Sequence, residues 1–145
     1  MSASRSVILF GTDEPVETSP IVRAGPLEAV LEAGNLRYVK IGGREAMRGI
    51  AFLVRDKNWG TYNADISDLN LDQRPDGFTV TYTATCRDAE QSLKYTARIE
   101  GRPNGSLLFE ADGEAETDFV TNRTGFVVLH ALDGVVGEPV SVEHT

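Results

Sequence analysis

Two short segments of this chain hold the side chains best suited to chemistry. The first is Arg55-Asp56-Lys57-Asn58-Trp59-Gly60-Thr61-Tyr62, which contains the one tryptophan. An indole and a phenol beside Arg55, Asp56 and Asn58 form the mixture that stacks on, and hydrogen-bonds, a sugar-like ligand. The bland alternative is that Trp59 plugs a sheet edge or a domain interface. The second segment is Thr121-Asn122-Arg123-Thr124-Gly125-Phe126-Val127-Val128-Leu129-His130. Here a polar cluster runs into an apolar stretch with a histidine at its far end. Asn122 and Arg123 can orient a carboxylate or hydroxyls, since arginine offers a rigid fork of donors. His130 can titrate near neutral pH. The bland alternative is a structural turn whose Arg123 pairs with one of many carboxylates. The candidate set is therefore Arg55, Asp56, Asn58, Trp59, Tyr62, Asn122, Arg123 and His130, as substrate-rim or domain-interface residues.

Other chemistries find little support. The second histidine is His144, and the single cysteine, Cys86, falls in line with apolar residues. Its register predicts a buried small hydrophobe and not a nucleophile. No zinc-ligand spacing occurs, so no metal site is expected. No Walker-type glycine loop and no GxSxG elbow is present, and Gly42-Gly43 reads as a turn. No cofactor is called for. Paired carboxylates could run glycosidic or ester chemistry, but with 22 acidic residues no pair stands out. The acidic run Glu110 to Glu116 reads as the solvent face of a strand and its turn.

The elements that must position these residues repeat with a period of two. Phe78, Val80, Tyr82, Ala84 and Cys86 alternate with four threonines, which places one face in a core and one in water. Leu93, Tyr95, Ala97 and Ile99 alternate in the same way, as do Leu107, Phe109 and Ala111. Arg74-Pro75-Asp76-Gly77 and the Asn104-Gly105 pair are turn signals between them. The prediction is a meander from about Asp65 to about Glu116. Upstream, Leu27–Glu32 and Leu36–Ile41 flank a turn at Ala33-Gly34-Asn35, and Ile50, Phe52 and Val54 alternate in a further strand. Pro26 to Glu32 has helix-forming composition, but it is short and followed by glycine, so strand is favoured. Phe126–Leu129 is a continuous apolar run, which predicts a strand covered on both faces. Residues from Pro139 to Thr145 could start one more strand. Thr12 to Pro20 reads as a loop. The fold expected is all-β: an antiparallel β-sandwich of many short strands with little or no helix.

A chain of 145 residues is the size of one domain. One cysteine permits no internal disulfide, which suits a reducing compartment. The apolar run Val7–Phe10 is too short for a signal-peptide core, and no stretch reaches the roughly 20 apolar residues of a membrane span. A cytoplasmic location is expected. The formal net charge is −8, from 22 acidic and 14 basic residues. That balance disfavours nucleic acid and anionic membrane surfaces as partners.

Two stretches carry a resemblance. AGPLEAVLEAGNLRYVKIGGREAMRGIAFLVRDKNWGTY and TDFVTNRTGFVVLH resemble the N-terminal domain of the bacterial D-apionate lactonase family, and the likeness runs from about Leu9 to Thr145. The resemblance implies cytoplasmic hydrolases of branched-sugar-acid catabolism, several times longer than this chain. Such a protein has an N-terminal β-rich domain, a central (β/α)-barrel and a C-terminal β domain. Barrel enzymes carry their chemistry at the C-terminal ends of barrel strands, and this sequence contains no βα alternation. Residues 1–145 are thus expected to be one sandwich domain excerpted from a longer hydrolase. The leading reading is an accessory domain whose partners are the barrel of the same polypeptide and, through it, a sugar-acid lactone. A free-standing carbohydrate-binding module with Trp59 and Tyr62 as its platform is the second reading. A small complete enzyme with His130 as general base is the third.

Overall fold

A computed structural model describes residues 4–15 and 18–143 of the chain. Within these described residues nine strands form two antiparallel sheets. The first sheet has the order β1-β2-β3-β4-β9, with β1 at Ile21–Ala24, β2 at Leu27–Glu32, β3 at Asn35–Ile41, β4 at Arg44–Asp56 and β9 at Thr121–His130. The second has the order β5-β6-β7-β8, with β5 at Asp65–Arg74, β6 at Gly77–Arg87, β7 at Ser92–Gly101 and β8 at Leu107–Ala115. This is the sandwich that the alternation predicted, and the meander runs from Asp65 to Ala115. Leu27–Glu32 is a strand despite its composition, because Leu27, Ala29 and Leu31 all point into the core. Tertiary burial outweighs helix propensity there.

The core lies between the sheets. Val22, Leu27, Leu36, Val39 and Val54 meet Phe78, Val80, Tyr82, Ala84, Cys86 and Ile99. Cys86 is buried as its register required, and burial pushes its thiol up to about 11. The Tyr82 hydroxyl donates to the Gly34 carbonyl at 2.8 Å, so the buried phenol links the second sheet to the β2–β3 turn. A chain of aromatic contacts crosses the core. Tyr82 touches Tyr95 at 6.2 Å, Tyr95 touches Phe52 at 4.8 Å, Phe52 touches Phe126 at 5.3 Å, and Phe126 touches Phe109 at 5.0 Å between centroids.

The β1/β5 side of the sandwich is closed by one side chain. Gln73 Oε1 accepts from the Arg23 amide at 2.9 Å, and Gln73 Nε2 donates to the Arg23 carbonyl at 2.8 Å. The same amide group reaches the carbonyls of Arg74 and Gly77 at 2.9 and 3.0 Å. Gln73 therefore acts as a strand partner for the otherwise free edge of β1. We expect Gln73→Ala to cost about 1–2 kcal/mol and to speed hydrogen exchange at the Arg23 amide. Unchanged exchange at Arg23 would mean that water replaces the glutamine at no cost. One end of the sandwich is pinned as well. The turn at Gly25 has φ +55°, and a Cβ there would lie 2.0 Å from the carbonyl oxygen of Pro103 in the β7–β8 turn.

Two expectations need correction. Phe126–Leu129 does not lie in a strand covered on both faces. β9 is an edge strand, and Phe126, Val128 and Leu129 are 45%, 44% and 50% exposed. Residues 139–143 form no strand; the rest of that stretch, His144 and Thr145, lies outside the described residues. The longest strands are β4, with 13 residues, and β6, with 11. Among the described residues a single six-residue helix, α1 (Arg5–Phe10), precedes the sheets. Ser4 caps its start and Gly11 ends it in the left-handed region. Among the described residues no helix is long and apolar enough to cross a membrane.

Candidate functional site

The β4–β9 pairing brings the two chemical segments together. Arg55 stands opposite Arg123, and Asp56 opposite Thr121. The Thr121 hydroxyl donates to the Arg55 carbonyl at 2.5 Å. Seven of the eight candidates, Arg55, Asp56, Asn58, Trp59, Tyr62, Asn122 and Arg123, therefore gather at one end of the sandwich. His130 does not join them. It sits opposite Met47 at the far end of β9, roughly 23 Å from Arg123 at about 3.3 Å per strand residue.

The loop after β4 is built around one carboxylate. Asp56 Oδ1 accepts from the amides of Asn58 and Gly60 at 2.7 and 2.9 Å. The Asp56 amide donates to the Gly60 carbonyl at 2.8 Å, and Arg55 Nη1 donates to the Trp59 carbonyl at 3.1 Å. These bonds hold Trp59 at φ 70°, where a bulky side chain is rarely found. The indole is 56% exposed. Trp59 therefore stands on a braced loop and plugs no sheet edge.

A second layer backs this loop. The Tyr62 hydroxyl donates to Asp88 Oδ2 and accepts from Gln91 Nε2 at 2.8 Å. Asp88 Oδ1 accepts from the amides of Glu90 and Gln91 at 2.8 and 3.0 Å. Hydrogen bonding, first from the Tyr62 hydroxyl and then from those amides, holds the Asp88 carboxyl below its ordinary range. Desolvation and then the Asp88 hydrogen bond raise the Tyr62 phenol. Gln91 also exchanges hydrogen bonds with the Val120 backbone, at 3.1 Å to its carbonyl and 2.9 Å from its amide. Tyr62 leans on Phe119 at 5.8 Å. Asp56, Asn58, Asp88, Gln91 and Val120 line a cleft of about 320 Å³ between the three loops.

Sequence reasoning missed Asp88, Gln91 and Phe119. The signal for the first two was modest. Asp88-Ala89-Glu90-Gln91 follows a strand, and an aspartate two residues ahead of a free amide favours an Asx turn. Nothing in the sequence paired that turn with Tyr62, which lies 26 positions earlier.

The arrangement supplies an exposed indole, amide and carboxylate groups, and two arginines. Neither Arg55 nor Arg123 has a carboxylate within 4.0 Å among the described residues. Among the described residues no group of three His, Cys, Asp or Glu side chains is placed to hold a metal ion. The site can stack, hydrogen-bond and attract negative charge.

Comparison with known proteins agrees with this picture. The D-apionate lactonase of Brucella anthropi is 42% identical over 145 residues, which is 99% of this chain but 24% of that protein. The chain thus spans about a quarter of the length of the relative that it matches. No solved structure matches it. The family model for the D-apionate lactonase N-terminal domain matches residues 7–145, and the chain belongs to that family.

Proposed function

We propose that this domain is the accessory N-terminal part of a cytoplasmic sugar-acid lactone hydrolase. Residues 1–145 form one domain in this reading, and the reaction is carried out by a barrel elsewhere in the polypeptide. The observation that carries the proposal is the match over residues 7–145 to a protein four times as long. The composition of the loop end also supports it, since that end offers an exposed indole and braced polar groups that can contact a ligand or a neighbouring domain. In the complete enzyme, water attacks the lactone carbonyl, and the barrel must activate that water and stabilise the oxyanion. Arg55, Asp56, Asn58, Trp59, Tyr62, Asn122 and Arg123 then form a rim or an interface beside the substrate. His130 belongs to a different part of the surface.

The test is lactone hydrolysis followed by pH-stat with a panel of aldonolactones that includes the D-apionate lactone. Activity is expected from the full open reading frame and not from the 145-residue chain. Hydrolysis by the short chain would overturn the accessory role.

Exposure of Trp59 on a braced loop favours one second reading, a carbohydrate-binding module. It requires saturable sugar binding by the 145-residue chain, with quenching of the Trp59 fluorescence. A flat titration removes it.

A further inference from the structure

Every open sheet has edges, and natural proteins protect them against pairing with other chains. Three of the four edges here are protected. β1 has four residues and is bridged by Gln73. β5 carries Asp65, Asp68 and Asp72, and its register breaks between Ser67 and Asn70. β8 presents Glu110, Asp112 and Glu114. The fourth edge, β9, has register shifts only at its two ends, and its ladder is unbroken from Arg123 to Leu129. It is ten residues long, and no acidic residue occurs between Asp118 and Asp133 in a chain of net charge −8.

The face beside that edge is also unusual. Phe52 and Phe126 touch inside the sandwich, so alternation turns Ala51 and Leu53 of β4, and Val127 and Leu129 of β9, outward. They are cross-strand neighbours, with Ala51 opposite Val127 and Leu53 opposite Gly125. Arg55 and Arg123 stand opposite each other at the end of this apolar strip. Like charges in that position repel, and no carboxylate of the described residues neutralises them.

We infer that the outer face of the β4–β9 pair, with the free edge of β9, is the seat of the rest of the lactonase polypeptide, which covers Val127 and Leu129 and places carboxylate against Arg55 and Arg123. This inference rests on the accessory-domain reading and adds to it the docking surface and its chemistry. The occupant is argued from three features. The relative is four times as long as this domain, so a larger body is at hand within one chain. The seat is the last strand and runs into a segment with Leu132, Val136, Val140 and Val142 exposed, so apolar surface continues from β9. Its two facing arginines repel the same face of a second copy, which disfavours a symmetric pair through this surface.

The experiment is maleimide labelling of the full-length protein, read peptide by peptide in a mass spectrometer. Leu129→Cys probes the seat and Glu114→Cys probes the protected β8 edge. Labelling at position 129 should be about tenfold slower than at position 114, because a covered site reacts only through its open population. Equal rates would overturn the inference. Protection that vanishes on tenfold dilution would assign the face to a second copy and overturn it as well. Lactone hydrolysis by the same preparations separates the two ideas. Free labelling in an active enzyme removes the docking surface alone, whereas a full-length protein that hydrolyses no lactone removes both.

Discussion

Gly101→Ala is expected to destabilise the domain by about 3 kcal/mol or more, the upper range for overpacking a core. Gly101 ends β7 opposite Phe78 at the start of β6. A methyl on Gly101 would sit 2.2 Å from Phe78 Cε1 and 2.7 Å from Cδ1. The Phe78 ring is fully buried, so it has no open space to enter. The ring lies across a glycine on the neighbouring strand, and that contact closes the end of the core nearest the Gly25 turn. Gly113, on the adjacent strand β8 and opposite Tyr95, is the control. Its nearest atom would be 3.7 Å away, an ordinary contact, and Gly113→Ala should be neutral or slightly stabilising because it removes glycine's excess entropy. Urea unfolding of both variants measures the contrast. Combining Gly101→Ala with Phe78→Leu should recover part of the loss, since contacting residues couple. Equal midpoints for Gly101→Ala and Gly113→Ala would show that the Phe78 ring moves aside freely.

The sequence made the second sheet legible because its alternation is strict. Phe78 to Cys86 and Leu93 to Ile99 bury every second residue, and the Asn104-Gly105 turn joins strands of matched register. The first sheet was harder to read. Leu27–Glu32 had the composition of a helix, and only its brevity and Gly34 argued for a strand. The apolar run at Phe126–Leu129 misled for a physical reason. A strand buried inside one domain and a strand reserved for a second body need the same side chains, so periodicity cannot separate them. The site was half legible. Its residue types marked Arg55–Tyr62 and Asn122–Arg123 as unusual, but their meeting depends on a pairing across more than sixty positions, which no local pattern records. The same pairing carries His130 away from the site, although in sequence it lies only seven residues past Arg123.

If the full-length protein is the proposed lactone hydrolase, Trp59→Ala should cut its activity by about tenfold, or ~1.4 kcal/mol of transition-state stabilisation, while changing domain stability by less than about 1 kcal/mol. The argument starts from strain. Holding a non-glycine residue in the left-handed region costs about 1–2 kcal/mol. Two amides on Asp56 and the Arg55 guanidinium on the Trp59 carbonyl impose that conformation, yet the indole they display is more exposed than buried. A strained backbone that buries little is stabilised for the sake of what it presents. Trp59→Gly sharpens the test, because glycine adopts φ 70° freely. That variant should melt at the same temperature as the parent or higher, and still lose activity. A packing residue behaves in the opposite way: both variants would lower the melting temperature, and activity would fall only in step with the folded fraction. Stability and activity moving apart would place the indole at the rim of the reaction, and their moving together would make Trp59 part of the scaffold.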